Sequence, residues 1–210
     1  RVPPDFKPIA AYNVFRAYSS LEILARLKPA FVMKYGTVTA GNSSFLTDGA
    51  AAILLMAEDV ALALGYKPKA RIRAYAYSAQ DPGEELLLGP AYATPKALDA
   101  AGLRLSDIDV FEFHEAFAGQ ILANLQCLAS DAFAREKLGR AGRVGDVPME
   151  KFNNLGGSLS LGHPFGATGA RLVTTAANRL ARENGTFALV AACAAGAMGN
   201  AIILERWKDQ

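Results

Sequence analysis

The sequence has 210 residues, of which 51% are hydrophobic and 20% charged, and this ordinary globular composition excludes disordered, collagenous and low-complexity proteins. A net charge of +2 gives no reason to expect a nucleic-acid partner, and no window of about 18 apolar residues predicts a transmembrane helix. Cys127 and Cys193 are too few for a disulfide scaffold and favour free thiols or a reducing compartment.

Residues 1–30 are interrupted by prolines, and only residues 21–27 have helical spacing, with Ser20 as N-cap. We interpret this stretch as the end of a preceding unit. The chain opens on Arg rather than Met and has no signal or transit pattern. We therefore expect it to be part of a longer protein.

From residue 31 the apolar pattern predicts alternating strands and helices. Residues 50–56 form a continuous apolar run, typical of a strand buried on both faces. The other predicted strands are 70–78, 108–113, 187–192 and 200–205, and the predicted helices are 57–65, 94–101 (capped by Thr94), 115–138 (broken near Ser130) and 166–183. This order predicts a layered α/β domain with a mostly parallel sheet and an antiparallel edge made by the last two strands.

Three side chains that could do chemistry lie at predicted strand ends or glycine-rich turns. They are His114, His163 and Cys193. In open α/β sheets, binding sites gather beyond the carboxyl ends of strands. A shared site for these three residues is therefore expected.

His163 has glycines on both sides, which allow close approach of a ligand, and Pro164 sets the chain before a helix. The helix dipole there disfavours an imidazolium, and a neutral imidazole suits a general base or a hydrogen-bond donor. A hydrogen-bonded turn histidine is the alternative.

Cys193 lies between small residues, where a thiol could exchange a proton or act as a nucleophile, although a lone cysteine is more often a buried structural residue. His114 could orient a water or a carbonyl oxygen, or simply pack at a helix start. Its neighbour Glu115 could accept a hydrogen bond or complement the helix dipole.

Other site types have little support in the sequence. The two histidines and two cysteines lack the short spacing of zinc ligands, so we expect no metal. Nucleotide-binding glycine fingerprints and a G-x-S-x-G elbow are also absent from the sequence.

Three motifs in order, HEAF at 114–117, GHPFGATG at 162–169 and CAAGAMG at 193–199, together with residues 35–49, resemble the C-terminal motifs of the thiolase family. The resemblance covers nearly the whole chain after Ser19. It implies the C-terminal half of the thiolase fold, with a five-stranded mixed sheet (βαβαβαββ) and helices on both faces. Residues 1–30 would then end a loop domain, and residues 31–210 would form the C-terminal domain.

The residues within these motifs resemble one thiolase subfamily most. HEAF stands where many thiolases have Asn for His, and residues 87–95 and 151–164 also resemble the trifunctional-enzyme beta-subunit type of 3-ketoacyl-CoA thiolase. That type cleaves 3-ketoacyl-CoA with CoA to acetyl-CoA and a shortened acyl-CoA in mitochondrial fatty acid β-oxidation. The resemblance implies CoA as substrate, no cofactor, a homodimer or tetramer, and a possible alpha-subunit partner.

Roles carry over from the resemblance by position. His163 would activate the nucleophilic thiol and donate to the thioester oxygen, and Cys193 would be the acid/base that protonates the leaving acetyl-CoA carbanion. His114 would take the place of the Asn that holds an oxyanion-hole water. The remaining positions are Ala195 and Gly196 in a second oxyanion hole, and Ala40, Ser44 and Phe117 along the CoA pantetheine tunnel.

Two departures from the family pattern stand out. Alanines at 195 and 197 flank Gly196 where the family has a glycine pair, so we expect both alanines to avoid positive φ. The nucleophilic Cys of the N-terminal domain has no counterpart here, so this chain alone should be inactive without an N-terminal half. The alternatives are a non-catalytic thiolase-like binding or assembly domain and a condensing enzyme of the same fold.

Overall fold

The structure is a computed structural model and describes Tyr12, Arg16 and residues 18–208. The interpretation of the first residues as the end of a preceding unit therefore falls largely outside the described part. Within it, the N-cap prediction for the first helix, α1 (Leu21–Ala25), is confirmed, because the Ser20 side chain accepts a hydrogen bond from Ile23 N.

Four strands form one mixed sheet in the order β1-β4-β3-β2. They are β1 (Ala70–Ala79), β2 (Val110–Phe113), β3 (Phe187–Ala194) and β4 (Met198–Arg206). β2 and β3 pair in parallel, whereas β4 pairs antiparallel with both β3 and β1. The antiparallel pairing of the last two strands is confirmed. The prediction that they form an edge is wrong, since β4 lies inside the sheet between β1 and β3.

The expected fifth strand is missing from the described residues. Residues 50–56 have no strand assignment. Three of their apolar side chains are exposed to 39%, 69% and 67%, at Ile53, Leu54 and Leu55. The prediction of a buried strand here is wrong for this chain. An apolar run indicates that a segment tends to be buried, but it does not indicate which surface buries it.

Helices pack on both faces of the sheet, as predicted. The remaining helices are α2 (Glu58–Ala63), α3 (Gly89–Ala101), α4 (Ala118–Leu128), α5 (Asp131–Leu138), α6 (Ser158–Leu161) and α7 (Thr168–Arg182), with 3-10 turns at Leu105–Asp107, Met149–Lys151 and Phe165–Ala167. The predicted break near Ser130 is confirmed, because its side chain caps α5.

Helix α3 begins five residues before the predicted start. Pro90 occupies its first turn, where a missing N–H costs nothing, and Pro95 lies inside the helix instead of opening it. The prediction of Thr94 as cap is therefore wrong: Thr94 is fully buried in the helix.

Strand β3 shows why the two helical layers form. Its side chains alternate between two cores: Leu189 and Ala191 pack in the cluster of α3, whereas Ala188 and Val190 pack in the cluster of α7. Because β2 and β3 run parallel, their carboxyl ends open at the same edge of the sheet. His114 and Cys193 are thereby brought to neighbouring strand ends.

Candidate active site

His114 continues the pairing of β2 by one residue, since its backbone N–H donates to Ala191 O at 2.8 Å. Its side chain is only 4% exposed, and its Nδ1 lies 2.9 Å from the Oγ of Ser158. Burial lowers the pKa of His114 to about 4, and the charges of His163 and Arg171 act in the same direction. The imidazole is therefore neutral at physiological pH.

His163 lies directly against His114. Their ring centroids are 4.1 Å apart, with 34° between the ring planes, and the ring of Phe165 lies 4.7 Å away from that of His163. Nδ1 of His163 is 2.7 Å from Thr168 Oγ1. Burial, and then the positive charge of Arg171, lower the pKa of His163. A lowered pKa agrees with the expected neutral imidazole, with burial as its largest cause.

Cys193 sits near the end of β3, opposite Gly199 of β4, and is 8% exposed. Burial raises the pKa of its thiol to about 11. The side chain is thus a protonated thiol at neutral pH, which fits a proton donor better than a resting nucleophile. Both cysteines are free, as the sequence predicts.

The turn after Cys193 contains the predicted oxyanion-hole residues Ala195 and Gly196. Gly196 has a φ of 83° and Ala197 a φ of 57°, so the expectation that Ala197 avoids positive φ is wrong. A connection of three residues must reverse the chain between β3 and β4, which demands left-handed backbone. The carbonyl of Ala197 also accepts a hydrogen bond from Gln80 N at 3.0 Å, which holds this conformation.

The predicted CoA-contacting residues lie on two segments that touch. Ser44 N donates to Ala116 O at 2.9 Å, and Ser43 forms an isolated β-bridge with Phe117. The same segment reaches the second histidine, because the N–H of His163 donates to Phe45 O at 2.9 Å. Ala40 lies in the exposed turn before it. One loop therefore joins both histidine motifs.

The buried carboxylate of Glu115 stabilises the segment of residues 153–159, which precedes His163. Glu115 accepts hydrogen bonds from Asn153 Nδ2 at 2.5 Å and from Leu159 N at 3.0 Å. Asn153 in turn bonds to both the N–H and the C=O of Phe113. Sequence reasoning missed Asn153, whose φ of 46° and long-range bonds no local pattern indicates.

Gly157 should accept no larger residue. A Cβ there would overlap the carboxyl group of Glu115, which its two hydrogen bonds hold in place. Gly157→Ala is expected to lower the free energy of unfolding by about 1–3 kcal/mol, measured by urea denaturation. Gly166→Ala is the matched control, because a Cβ at Gly166 meets nothing within 4 Å. Equal stability of the two variants would contradict the overlap.

Three further polar residues near the site were not predicted. Ser158 and Thr168 contact the two imidazoles, and Arg171 lies behind Ser158. Thr168 lies inside the glycine-rich motif at 162–169, and Ser158 and Arg171 lie within four residues of it, which was the available indication. In the described part of the chain, no group of three His, Cys, Asp or Glu side chains is arranged to hold a metal ion. No helix there has the length and apolar character needed to cross a membrane.

We compared the sequence of the chain with models of known protein families. The family model described as "Thiolase, C-terminal domain" matches residues 66–206, and "Thiolase, N-terminal domain" matches residues 5–59. The chain belongs to the thiolase family. Residues 60–65 separate the two matches, and this interval overlaps α2.

Individual thiolases resemble the chain closely. The mitochondrial trifunctional enzyme subunit beta of Bos taurus and that of Homo sapiens are each 66% identical over 189 residues, covering 90% of this chain and 40% of the relative. The crystal structure of human mitochondrial 3-ketoacyl-CoA thiolase in complex with CoA matches with a TM-score of 0.76 at 34% identity, covering 94% of this chain and 45% of that one. The chain thus spans about two-fifths of the length of the curated relatives that it matches.

Proposed function

We propose that this chain supplies the acid–base half of a 3-ketoacyl-CoA thiolase site, which cleaves 3-ketoacyl-CoA with CoA to acetyl-CoA and a shortened acyl-CoA. The observation that carries the proposal is the ring contact between His114 and His163, with the buried thiol of Cys193 at the neighbouring strand end. The similarity to 3-ketoacyl-CoA thiolases supports the same reaction class.

The first half-reaction needs a base for a nucleophilic thiol carried by the N-terminal half. His163 serves as that base when Nδ1 carries a proton and donates it to Thr168 Oγ1, which leaves Nε2 free to accept the thiol proton. The thiolate then attacks the 3-keto carbon, and the bond to the acetyl-CoA unit breaks with its electron pair on carbon.

Cys193 completes the proton balance. Its thiol protonates the leaving carbanion, which releases acetyl-CoA, and the resulting thiolate takes the proton of incoming CoA. CoA then attacks the acyl-enzyme thioester, releasing the shortened acyl-CoA and restoring the nucleophile. Burial raises the pKa of this thiol, so it keeps the proton that the carbanion needs. The N–H groups of Ala195 and Gly196 are proposed to stabilise negative charge that develops on the oxygen.

CoA is proposed as substrate rather than cofactor, with its pantetheine arm along Ala40, Ser44 and Phe117. The contact between the loop of residues 42–45 and residues 116–118 supports a continuous wall there. The CoA complex of the human relative supports a CoA site in this fold.

The partner that the chemistry requires is a thiolase N-terminal half. The exposed apolar run at residues 53–55 supports a surface of such a partner that would cover it.

The names of the trifunctional-enzyme relatives support a mitochondrial location and an alpha-subunit partner. A homodimer or tetramer is part of the same proposal. The division of the chain at residue 30 stays a prediction.

The proposal is tested by mixing this chain with a thiolase N-terminal half and following the loss of acetoacetyl-CoA absorbance when CoA is added. Turnover is expected only in the mixture. An N-terminal half with its nucleophilic Cys changed to Ala is the control and should give none. A folded complex without turnover would favour a non-catalytic domain, and turnover by this chain alone would contradict the need for a second half.

A further inference from the structure

Three polar side chains are linked in a row that ends on His114: Arg171 is half-buried, whereas Ser158 and His114 are buried. Ser158, the first residue of α6, is fully buried, and its Oγ lies 2.9 Å from His114 Nδ1. Behind it, Arg171 Nη2 donates to the same Oγ at 3.4 Å. The serine hydroxyl therefore stands between a guanidinium and an imidazole.

The direction of the protons in this row follows from what each group can do. A guanidinium has only donors, so Ser158 Oγ must be the acceptor in its contact with Arg171. The hydroxyl proton of Ser158 then needs an acceptor, and among the described residues His114 Nδ1 is the group at hydrogen-bond distance that can accept. The opposite arrangement, with Nδ1–H donating to Ser158, would leave a buried hydroxyl proton without an acceptor.

We propose that Arg171 and Ser158 are positioning residues that fix His114 as the tautomer protonated on Nε2, so that it presents one N–H donor to the oxyanion-hole water. This inference rests on the proposed thiolase function. An asparagine amide in this position carries its donor on a fixed nitrogen and needs no such help. A neutral imidazole has two possible proton positions, and only the hydrogen bond at Nδ1 selects between them.

Arg171 contributes in a second way. Its positive charge lowers the pKa of both His114 and His163, so it disfavours a second proton on either ring. Its own charged form is favoured by the nearby Glu112 and Glu115, against the effect of burial. In the described part of the chain, Nε and Nη1 of Arg171 have no hydrogen-bond partner. Among residues 18–208, no ion pair therefore holds the guanidinium so as to turn Nη2 away from Ser158.

The tautomer is measured directly by nitrogen-15 NMR of the assembled protein, with labelled histidine in this chain only. The chain has two histidines, so the spectrum contains two imidazoles, and His163→Gln assigns them. For His114, we expect the proton on Nε2 and the shift of an unprotonated nitrogen at Nδ1. A proton on Nδ1 would overturn the proposal.

The role of Ser158 is tested with Ser158→Ala and Ser160→Ala. Ser160 is the matched control, because its hydroxyl donates to Gly157 O at 3.1 Å and contacts no histidine. Ser158→Ala should move the Nδ1 shift of His114 toward that of a protonated nitrogen and lower kcat about 10-fold, with little change in KM. Ser160→Ala should change neither. Equal behaviour of the two variants would overturn the proposal.

Arg171 is tested with Arg171→Met, which removes both donor and charge, and with Arg171→Lys, which keeps both. The methionine variant should resemble Ser158→Ala in tautomer and kcat, and the lysine variant should recover most of the loss. An Arg171→Met protein with an unchanged tautomer and kcat would refute the role of Arg171. An active enzyme with Nδ1–H on His114 refutes the proposed tautomer alone, whereas an inactive parent enzyme with Nε2–H refutes the proposed function alone.

Discussion

Changing Cys193 to alanine is expected to lower the turnover of the assembled enzyme by about 10²–10⁴-fold, the usual contribution of a positioned general acid or base. The thiol is the proton donor for the leaving carbanion, and a methyl group cannot replace it. The fold should survive, because the change removes one buried sulfur atom from the end of β3. Thiolysis of acetoacetyl-CoA gives kcat, and thermal unfolding reports the fold.

Cys127→Ala is the matched control for this experiment. Cys127 lies in α4, is half-buried, and has no assigned part in the chemistry. Its loss should leave kcat unchanged and stability slightly lower. If Cys193→Ala retained full activity, or if it unfolded while Cys127→Ala did not, the assigned acid–base role would be wrong.

His163→Ala is expected to slow acylation of the nucleophile toward the upper end of about 10²–10⁴-fold. His163 both receives the thiol proton and contacts the ring of His114, so its loss removes the base and one wall of the site. Single-turnover formation of the acyl-enzyme, measured by rapid quench, isolates this step from attack by CoA.

His163→Gln separates proton transfer from hydrogen bonding. The glutamine amide can donate to a thioester oxygen but cannot accept a thiol proton. It should therefore be as slow in acylation as the alanine variant. Acylation at the unchanged rate in His163→Ala would refute the base role, and rapid acylation in His163→Gln alone would show that hydrogen bonding is sufficient.

The sequence predicted correctly those structural features that depend on residues of a single strand, helix or turn. His114 follows β2 and Cys193 lies near the end of β3, and the parallel pairing of these two strands brings both residues to one edge of the sheet. Alternation along residues 70–78 located β1, because successive side chains of a strand point to opposite surfaces. The N-cap at Ser20 and the helix break near Ser130 depend on backbone N–H groups three residues away.

Predictions failed where the deciding contact lies far along the chain or outside it. Residues 50–56 are apolar enough for a buried strand, but no strand among the described residues pairs with them. The position of β4 inside the sheet depends on pairing with β1, which lies more than a hundred residues earlier. The link from Ser158 to His114 spans 44 residues, so its partner cannot be read from local spacing.

The position of β4 also determines when the domain can form during synthesis. β1 pairs with no strand other than β4 in the described sheet, with Ala79 opposite Met198 and Ala70 opposite Arg206. At about 5–20 residues per second, a ribosome needs roughly 6–24 s to make the intervening ~120 residues. Throughout that interval the backbone of β1 has no strand to pair with. The apolar face of α3 then has only part of the sheet to pack against. A chain interrupted before residue 198 should therefore depend on chaperones that shield exposed strands.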